Sequence, residues 1–151
     1  MRPWFAGSRL LDCTLRDVAA SLQSQGEHTQ AVVSHMPGIT SAELVESDDT
    51  TVTVRTNEGL MTRTGISVHT DTDAIVVEFT ENYEAGNATT ATALFRETFT
   101  TQDDQVMYHL QISDRHASGV LGALFRTFGA RSTGRGFLAA TAAVLDKPAP
   151  S

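Results

Sequence analysis

The sequence predicts an α+β fold with an antiparallel meander of about six to seven strands, two short helices after the first strand and a long C-terminal helix. Three features predict this arrangement. Apolar and polar residues alternate repeatedly between Ser41 and Ser113, a capping motif starts at Thr14, and an apolar helical stripe runs from about Ser118 to Asp146. Alternation with a period of two is typical of half-buried strands, whereas apolar residues three and four positions apart are typical of helices.

Two short helices are predicted after the first strand. Thr14 and Asp17 match a capping box, in which a hydroxyl and an acidic side chain bind free backbone amides at the start of a helix. We expect Gly26 to close this helix, because glycine readily adopts the conformation that follows a helix end. The second helix is predicted over His28 to His35 and stops before Pro37-Gly38, since the residue preceding a proline avoids helical geometry.

The first strand is predicted over about Trp4 to Cys13, and the remaining strands lie between Ser41 and Ser113. Short turns separate these alternating segments, and strands at such regular spacing indicate an antiparallel meander. The predicted turns are Asn57–Gly59, Asp71–Asp73, Glu84–Asn87 and Gln102–Gln105.

The C-terminal helix carries its apolar stripe through Leu121, Leu124 and Phe128. Glycines at positions 119, 122, 129, 134 and 136 lie within the predicted helix. Each costs up to about 1 kcal/mol relative to alanine in a helix interior. We therefore expect a bend or a break between Gly129 and Gly136.

Composition limits the class of protein. The chain has 151 residues and a formal net charge of −7, which disfavours binding to nucleic acid and to anionic membrane surfaces. A single cysteine, Cys13, excludes an intrachain disulfide. No apolar run approaches the roughly 20 residues of a membrane span, and the N-terminus lacks the apolar stretch of a secretory signal. We expect a cytoplasmic single domain over residues 1–147 with a loose tail over 148–151, and no cofactor, metal ion or membrane insertion.

Three stretches of the chain carry a resemblance to a known superfamily. Leu11–Val18 resembles a first strand that runs into a capped helix, Met36–Leu44 is similar to a crossover into the second strand, and Gly119–Leu145 resembles a gripping helix. With the order of elements, they resemble the helix-grip fold of the START-like superfamily, also called SRPBCC or Bet v 1-like. That superfamily includes polyketide cyclase/dehydrase-like proteins and lipid-transfer domains. The resemblance covers nearly the whole chain and is one of topology, without a catalytic signature.

The resemblance implies a helix-grip fold in which a curved antiparallel sheet wraps around the long C-terminal helix. It also implies a cavity between the two that binds a small hydrophobic molecule, such as a lipid or an aromatic metabolite. A concave site with mostly apolar walls and a few polar groups suits such a ligand. The strand alternation and the helical stripe predict the ligand contacts, which are Phe79, Phe95, Phe99, Tyr108, Leu121, Leu124 and Phe128, with Thr62, Thr64 and Glu97 as polar points.

Glu97 and Tyr108 are the candidates for chemistry. Glu97 lies between Phe95 and Phe99 in the alternation, so the pattern places a carboxylate on a buried face, where perturbed acids mark functional sites. If the strand is bulged or lies at an edge, Glu97 instead meets solvent. Tyr108 is either a polar ligand contact or part of the sheet packing.

Arg131 and Arg135 interrupt the apolar stripe of the last helix. They either attract an anionic head group at the mouth of the cavity or mark an exposed bend. Both readings fit the pattern.

Three functions are compatible with this sequence. The first is a binding or carrier protein for a small hydrophobic ligand. The second is a polyketide cyclase or dehydratase that uses Glu97 and Tyr108 as acid–base groups in the same cavity. The third is a protein-interaction module. The sequence names neither the ligand nor the oligomeric state, and it leaves both a monomer and a homodimer open.

Overall fold

A computed structural model of the chain describes residues 3–85, 89–118 and 120–147, with side chains described outside positions 85, 89, 117–118 and 120–130. The elements in chain order are β1 (Phe5–Leu11), α1 (Leu15–Leu22), α2 (Gln25–Ser34), β2 (Ala42–Ser47), β3 (Val52–Thr56), β4 (Gly59–Thr70), β5 (Ala74–Ala85), β6 (Thr89–Gln102), β7 (Gln105–Ser118) and α3 (Val120–Leu145).

The described strands form one sheet of seven, in the order β1-β7-β6-β5-β4-β3-β2, and every neighbouring pair is antiparallel. The first strand therefore joins the edge of the meander beside the last strand. Helix α3 packs against β1, β6 and β7, and α2 packs against β2, β3 and α3. The predicted α+β helix-grip architecture is confirmed, with both short helices after the first strand.

Two bulges change which side chains of the long strands face inward. In β4 the register shifts between Thr64 and Ser67, where Gly65 has a φ of 62°, a conformation that glycine adopts at little cost. Arg63 is buried before this bulge and Ile66 after it. In β7 the extra residue is Asp114, with a φ of 51°, opposite the shift in β6 between Thr92 and Leu94.

Aromatic stacking fills the middle of the inner sheet face. Phe79 and Phe95 stack with ring centroids 5.0 Å apart, and Phe137 of α3 meets Phe95 edge-on at 5.1 Å. Phe99 stacks on Tyr108 at 4.9 Å, and both are completely buried. Such contacts add to the hydrophobic free energy of burying large rings, so this part of the sheet is close-packed core.

The predicted capping box at the start of α1 is confirmed. Asp17 N donates to Thr14 Oγ1 at 3.2 Å, and Thr14 N donates to Asp17 Oδ2 at 3.0 Å. The prediction that Gly26 closes α1 is wrong, because Gln23 caps that helix and Gly26 lies inside α2. A Cβ atom at position 26 would lie 2.5 Å from Ser47 Oγ and 2.9 Å from Leu44 Cδ2, so glycine lets α2 approach β2.

Helix α3 is continuous across the segment in which a bend or break was expected. The break does not occur, and the bend stays a prediction. Gly134 and Gly136 have a packing role that helix propensity does not reveal. The ring of Phe5 occupies the space that a side chain at 134 would need, and Pro37 Cδ would lie 3.2 Å from a Cβ atom at 136. The predicted loop residues Gly86 and Asn87, and the tail 148–151, lie outside the described residues.

His28 lies on the buried side of α2, with 4% of its surface exposed. Its Nδ1 lies 2.8 Å from Ser21 Oγ, so the two side chains share a hydrogen bond. Burial lowers the pKa of His28 from 6.5 to about 4, and the positive charge of Arg63 acts in the same direction. The folded protein therefore holds this imidazole neutral.

We predict that Gly26→Ala lowers the free energy of unfolding by about 1–3 kcal/mol, because the added methyl group overpacks the contact with Ser47. Helix propensity alone predicts the opposite sign, a gain of up to about 1 kcal/mol. Denaturant unfolding measures the difference. Adding Ser47→Gly should recover part of the loss, and a Gly26→Ala protein as stable as the wild type would contradict the close approach.

We predict that His28→Gln loses less stability than the wild type, or gains more, as pH falls from 6.5 to 4. As pH falls through 6.5, the unfolded chain protonates this histidine while the folded chain does so only near 4, so the residue withdraws up to about 3 kcal/mol of stability across that interval. Glu81 and Glu97, whose pKa values are raised, shift stability in the opposite direction. Both acids are present in the wild type and in the variant, so the difference between the two proteins reports on His28.

Denaturant titrations across this pH range test the prediction. His69→Gln, at an exposed position of β4, is the matched control and should keep the wild-type slope. Equal slopes in wild type and His28→Gln would contradict it.

Candidate functional site

A cavity of about 230 Å³ lies between the inner face of the sheet and the two helices α2 and α3. Its walls come from α2 and the segment after it, from β3 through β7, and from the second half of α3. The lining residues are Val33, Met36, Pro37, Ile39, Thr56, Glu58, Met61, Glu81, Tyr83, Ala91, Arg115, Ser132, Thr133 and Phe137.

Small side chains on β6 open this cavity. Ala91 lies on the wall, and Ala93 follows it on the same inner face. Strand β6 lies between β5 and β7, each about 4.8 Å away, so side chains of both neighbours flank these alanines. Glu81 and Tyr83 contribute from β5, and Arg115 contributes from β7. The alanines therefore leave room between longer polar side chains.

A buried ion pair holds Glu81, one of the polar residues of the wall. Arg63 Nε donates to Glu81 Oε1 at 3.3 Å, with side-chain exposures of 5% and 11%. The Arg63 guanidinium also lies over the ring of Phe79, with its carbon 4.2 Å from the ring centroid. Such a cation–π contact helps to hold a cation away from water. Arg63 thus holds the Glu81 side chain in place from the core side, and Glu81 lines the cavity.

A second buried pair lies deeper in the core. The Tyr108 hydroxyl donates a short hydrogen bond to Glu97 Oε2, and Glu97 is 6% exposed. Burial raises the pKa of Glu97, against the opposing effects of Arg63 and of the Tyr108 hydrogen bond. Burial likewise raises the pKa of Glu81, although Arg63 and Arg115 act against it. The carboxyl groups that flank Arg63 therefore hold protons more readily than ordinary surface acids.

The structure decides the open question about Glu97 and Tyr108. Glu97 is buried beside its phenol partner, so the alternative of a solvent-exposed strand is wrong. The pair does not line the cavity, however, because Tyr108 is completely buried and neither residue reaches the cavity wall. The structure brings these two candidates together but seals them in the core.

Most of the predicted ligand contacts lie elsewhere. Phe79, Phe95 and Phe99 form the stacked core and do not line this cavity. Thr62 and Thr64 alternate with the inward-facing Arg63, so they lie on the other face of β4, where Thr64 is exposed. The expected contacts Leu121, Leu124 and Phe128 fall among the side chains outside the described residues.

Arg131 and Arg135 are both exposed and do not line the cavity, which favours the reading as solvent-facing residues over that of a cavity mouth.

The sequence reasoning missed Arg63, Glu81, Tyr83 and Arg115. Glu81 and Tyr83 continue the alternation of Ile75, Val77 and Phe79, so extending that strand by four residues would have found them. Arg63 was overlooked because Thr62 and Thr64 were expected to face inward, and the bulge at Gly65 reverses the alternation on which that expectation rested. Arg115 follows the second bulge, and a single sequence gives no clear signal for it.

Among the residues that the structure describes, no three or more His, Cys, Asp or Glu side chains are placed to hold a metal ion. Within the same part of the chain, no helix is both long and apolar enough to cross a membrane.

Comparison with solved structures finds similar folds at low sequence identity. A STAR-related lipid transfer protein from Xanthomonas axonopodis matches with a TM-score of 0.59 and 18% identity, over 93% of this chain and 84% of that one. A hypothetical protein from Helicobacter pylori matches with a TM-score of 0.61 and 12% identity, over 93% and 86%. The di-domain ARO/CYC protein BexL from the BE-7585A biosynthetic pathway matches with a TM-score of 0.53 and 13% identity.

The chain covers 50% of the length of the di-domain protein, with 96% of its own residues matched. No protein-family model and no curated protein sequence matches the chain. At these identities the likeness concerns the fold. The element order, the seven-stranded antiparallel sheet and these structural neighbours together show that the chain has a START-like helix-grip fold.

Proposed function

We propose that this protein is a binding or carrier protein for a small hydrophobic molecule held in the cavity between the sheet, α2 and α3. The cavity itself is the observation that carries the proposal. It is walled mainly by apolar side chains, among them Met61, Ala91 and Phe137. The structural likeness to a STAR-related lipid transfer protein supports the same class of ligand.

The volume of the cavity limits the size of the ligand. An apolar cavity of about 150 Å³ accommodates benzene, and drug-sized pockets begin at about 300 Å³. A cavity of about 230 Å³ lies between these values. The part of the ligand that lies inside the cavity is therefore the size of one or two rings or of a short acyl chain.

The proposed carrier works in the cytoplasm and binds its ligand without a cofactor. Nucleic acid is not among its proposed partners, and it does not insert into a membrane. The net charge of −7 and the single, buried Cys13 are consistent with this setting.

We predict that Ala91→Leu weakens binding of the neutral fluorescent probe 2-acetylnaphthalene at least about tenfold, because the larger side chain occupies the ligand volume. Fluorescence titration measures the affinity. The fold should survive, since the added carbons fill empty space and contribute up to about 0.8 kcal/mol of stability per buried methylene.

Thr98→Leu is the matched control, because it adds a similar side chain to the half-buried outer face of the same strand. It should bind the probe like the wild type. Equal affinities of wild type and Ala91→Leu would place the probe elsewhere and contradict the proposal. Failure of the wild type to bind a panel of neutral one- and two-ring probes would favour a protein-interaction module.

A second candidate function is acid–base catalysis of the cyclase or dehydratase type in the same cavity. Glu81 favours it, since this acid lies on the wall and burial raises its pKa, as a general acid near neutral pH requires. It ranks second because Glu81 accepts a hydrogen bond from Arg63, and because the Glu97–Tyr108 pair is enclosed in the core.

Dehydration of 4-hydroxy-4-phenylbutan-2-one tests this second function. A solvent water molecule accepts a proton from the carbon next to the ketone, and the hydroxyl leaves as water with the proton of Glu81. Solvent then returns a proton to the Glu81 carboxylate, so the products are the conjugated enone and water. If the enzyme reading holds, Glu81→Gln lowers the rate of enone formation at least about a hundredfold, the size of a general-acid contribution. Glu78→Gln, an exposed acid on the outer face of β5, should keep the rate. A wild type no faster than the buffer reaction would sink this reading and leave the carrier.

A further inference from the structure

Arg115 is a cation on the cavity wall whose charge lacks a close partner. Its guanidinium lies over the ring of Trp4, with the guanidinium carbon 4.7 Å from the ring centroid. Among the described residues, no carboxylate oxygen lies within 4.0 Å of its nitrogens. The Trp4 ring positions the guanidinium at the cavity but satisfies none of its five N–H donors.

Glu81 is the acid that acts on Arg115, and it is already engaged. Burial lowers the pKa of Arg115, and the negative charge of Glu81 acts against this by raising it. The Glu81 carboxylate, however, accepts its hydrogen bond from Arg63 at 3.3 Å. Two cations, Arg63 and Arg115, therefore share one acid at this wall, and the second carboxylate near Arg63 is bound to Tyr108.

A second group on the same wall also lacks a partner. Tyr83 Oη is shielded from solvent and makes no hydrogen bond within the described part of the chain. Thr56 and Glu58 are both close enough to influence the Tyr83 pKa, but neither makes a hydrogen bond to Tyr83 Oη. The Thr56 hydroxyl instead donates to Gly59 O and accepts from two backbone amides. The unused polar groups of the wall are thus donors, whereas its buried acid is occupied.

Glu58 is the remaining acid on the wall, and it is exposed. Solvent and salt screen an exposed charge more strongly than a buried one. Its repulsion of an anion at Arg115 is correspondingly weak. The unpaired donors of Arg115 and Tyr83 therefore favour a ligand that brings acceptor oxygens and a negative charge.

We propose that the cavity selects small carboxylic acids, with the carboxylate bound by the Arg115 guanidinium and the apolar body against Met61, Ala91 and Phe137. This inference rests on the proposed carrier function and narrows its ligand class. A guanidinium presents two parallel N–H groups that match a carboxylate, and charge-assisted bonds of this kind are about twice as strong as neutral ones. The Tyr83 hydroxyl serves as a donor for a further acceptor on the ligand.

The test compares two probes of almost the same shape, naphthalene-2-carboxylate and the neutral naphthalene-2-carboxamide. Isothermal titration calorimetry measures both affinities for the wild type, Arg115→Gln and the control Arg96→Gln, which removes an exposed arginine from the outer face of β6. We expect the wild type and the control to prefer the carboxylate about tenfold or more. Arg115→Gln should lose that preference while it keeps its affinity for the amide.

Trp4 offers a second measurement that needs no variant, because it is the single tryptophan of the chain and lies against Arg115. The carboxylate should change its fluorescence more than the amide does. This readout keeps the proposal testable if Arg115→Gln does not fold.

The outcomes separate the two proposals. Equal affinities of the wild type for carboxylate and amide, or a preference that persists in Arg115→Gln, would overturn the role of Arg115 and leave the carrier function standing. Binding of neither probe would overturn both.

Discussion

The buried guanidinium of Arg63 is the constraint around which this molecule is arranged. It lies over the Phe79 ring, donates to Glu81, and acts electrostatically on Glu97 and His28. Removing one partner of a buried ion pair leaves an uncompensated charge, at a cost of about 3–5 kcal/mol. Arg63 and Glu81 therefore form a polar layer between the aromatic core, which includes Phe79, and the cavity, which Glu81 lines. Replacing either residue of the pair would leave the other charge buried without its partner.

The two bulges place the charges that this layer needs. In a regular strand, residues three positions apart, such as Arg63 and Ile66, point to opposite faces, and the bulge at Gly65 is what allows both to face the interior. The bulge at Asp114 does the same for Ile112 and Arg115 on β7, so that one strand contributes an apolar residue to the core and a cation to the cavity. Irregular backbone thus determines where the charged groups of the candidate site lie.

This explains which features could be predicted from the sequence. The capping box, the two short helices, the meander and the last helix follow from local patterns that need no knowledge of distant residues. The placement of Glu97 on a buried face also followed, because β6 keeps its alternation from Phe95 to Phe99. Thr62 and Thr64 were misplaced because a bulge is invisible to a period-two pattern. The packing role of Gly26 was missed because its contact, Ser47, lies on another element.

The position of the cavity follows from side-chain size along one strand. On the inner face of β6 the sequence runs from Ala91 and Ala93 to Phe95, Glu97 and Phe99. Large aromatic rings fill the space against β5, β7 and α3, because a gap beside them would forfeit dispersion contacts and hydrophobic free energy. The alanines cannot fill that space, and the chain leaves its cavity there. Aromatic residues on a buried face therefore indicate where this fold is closed, and small residues on the same face indicate where it can admit a ligand.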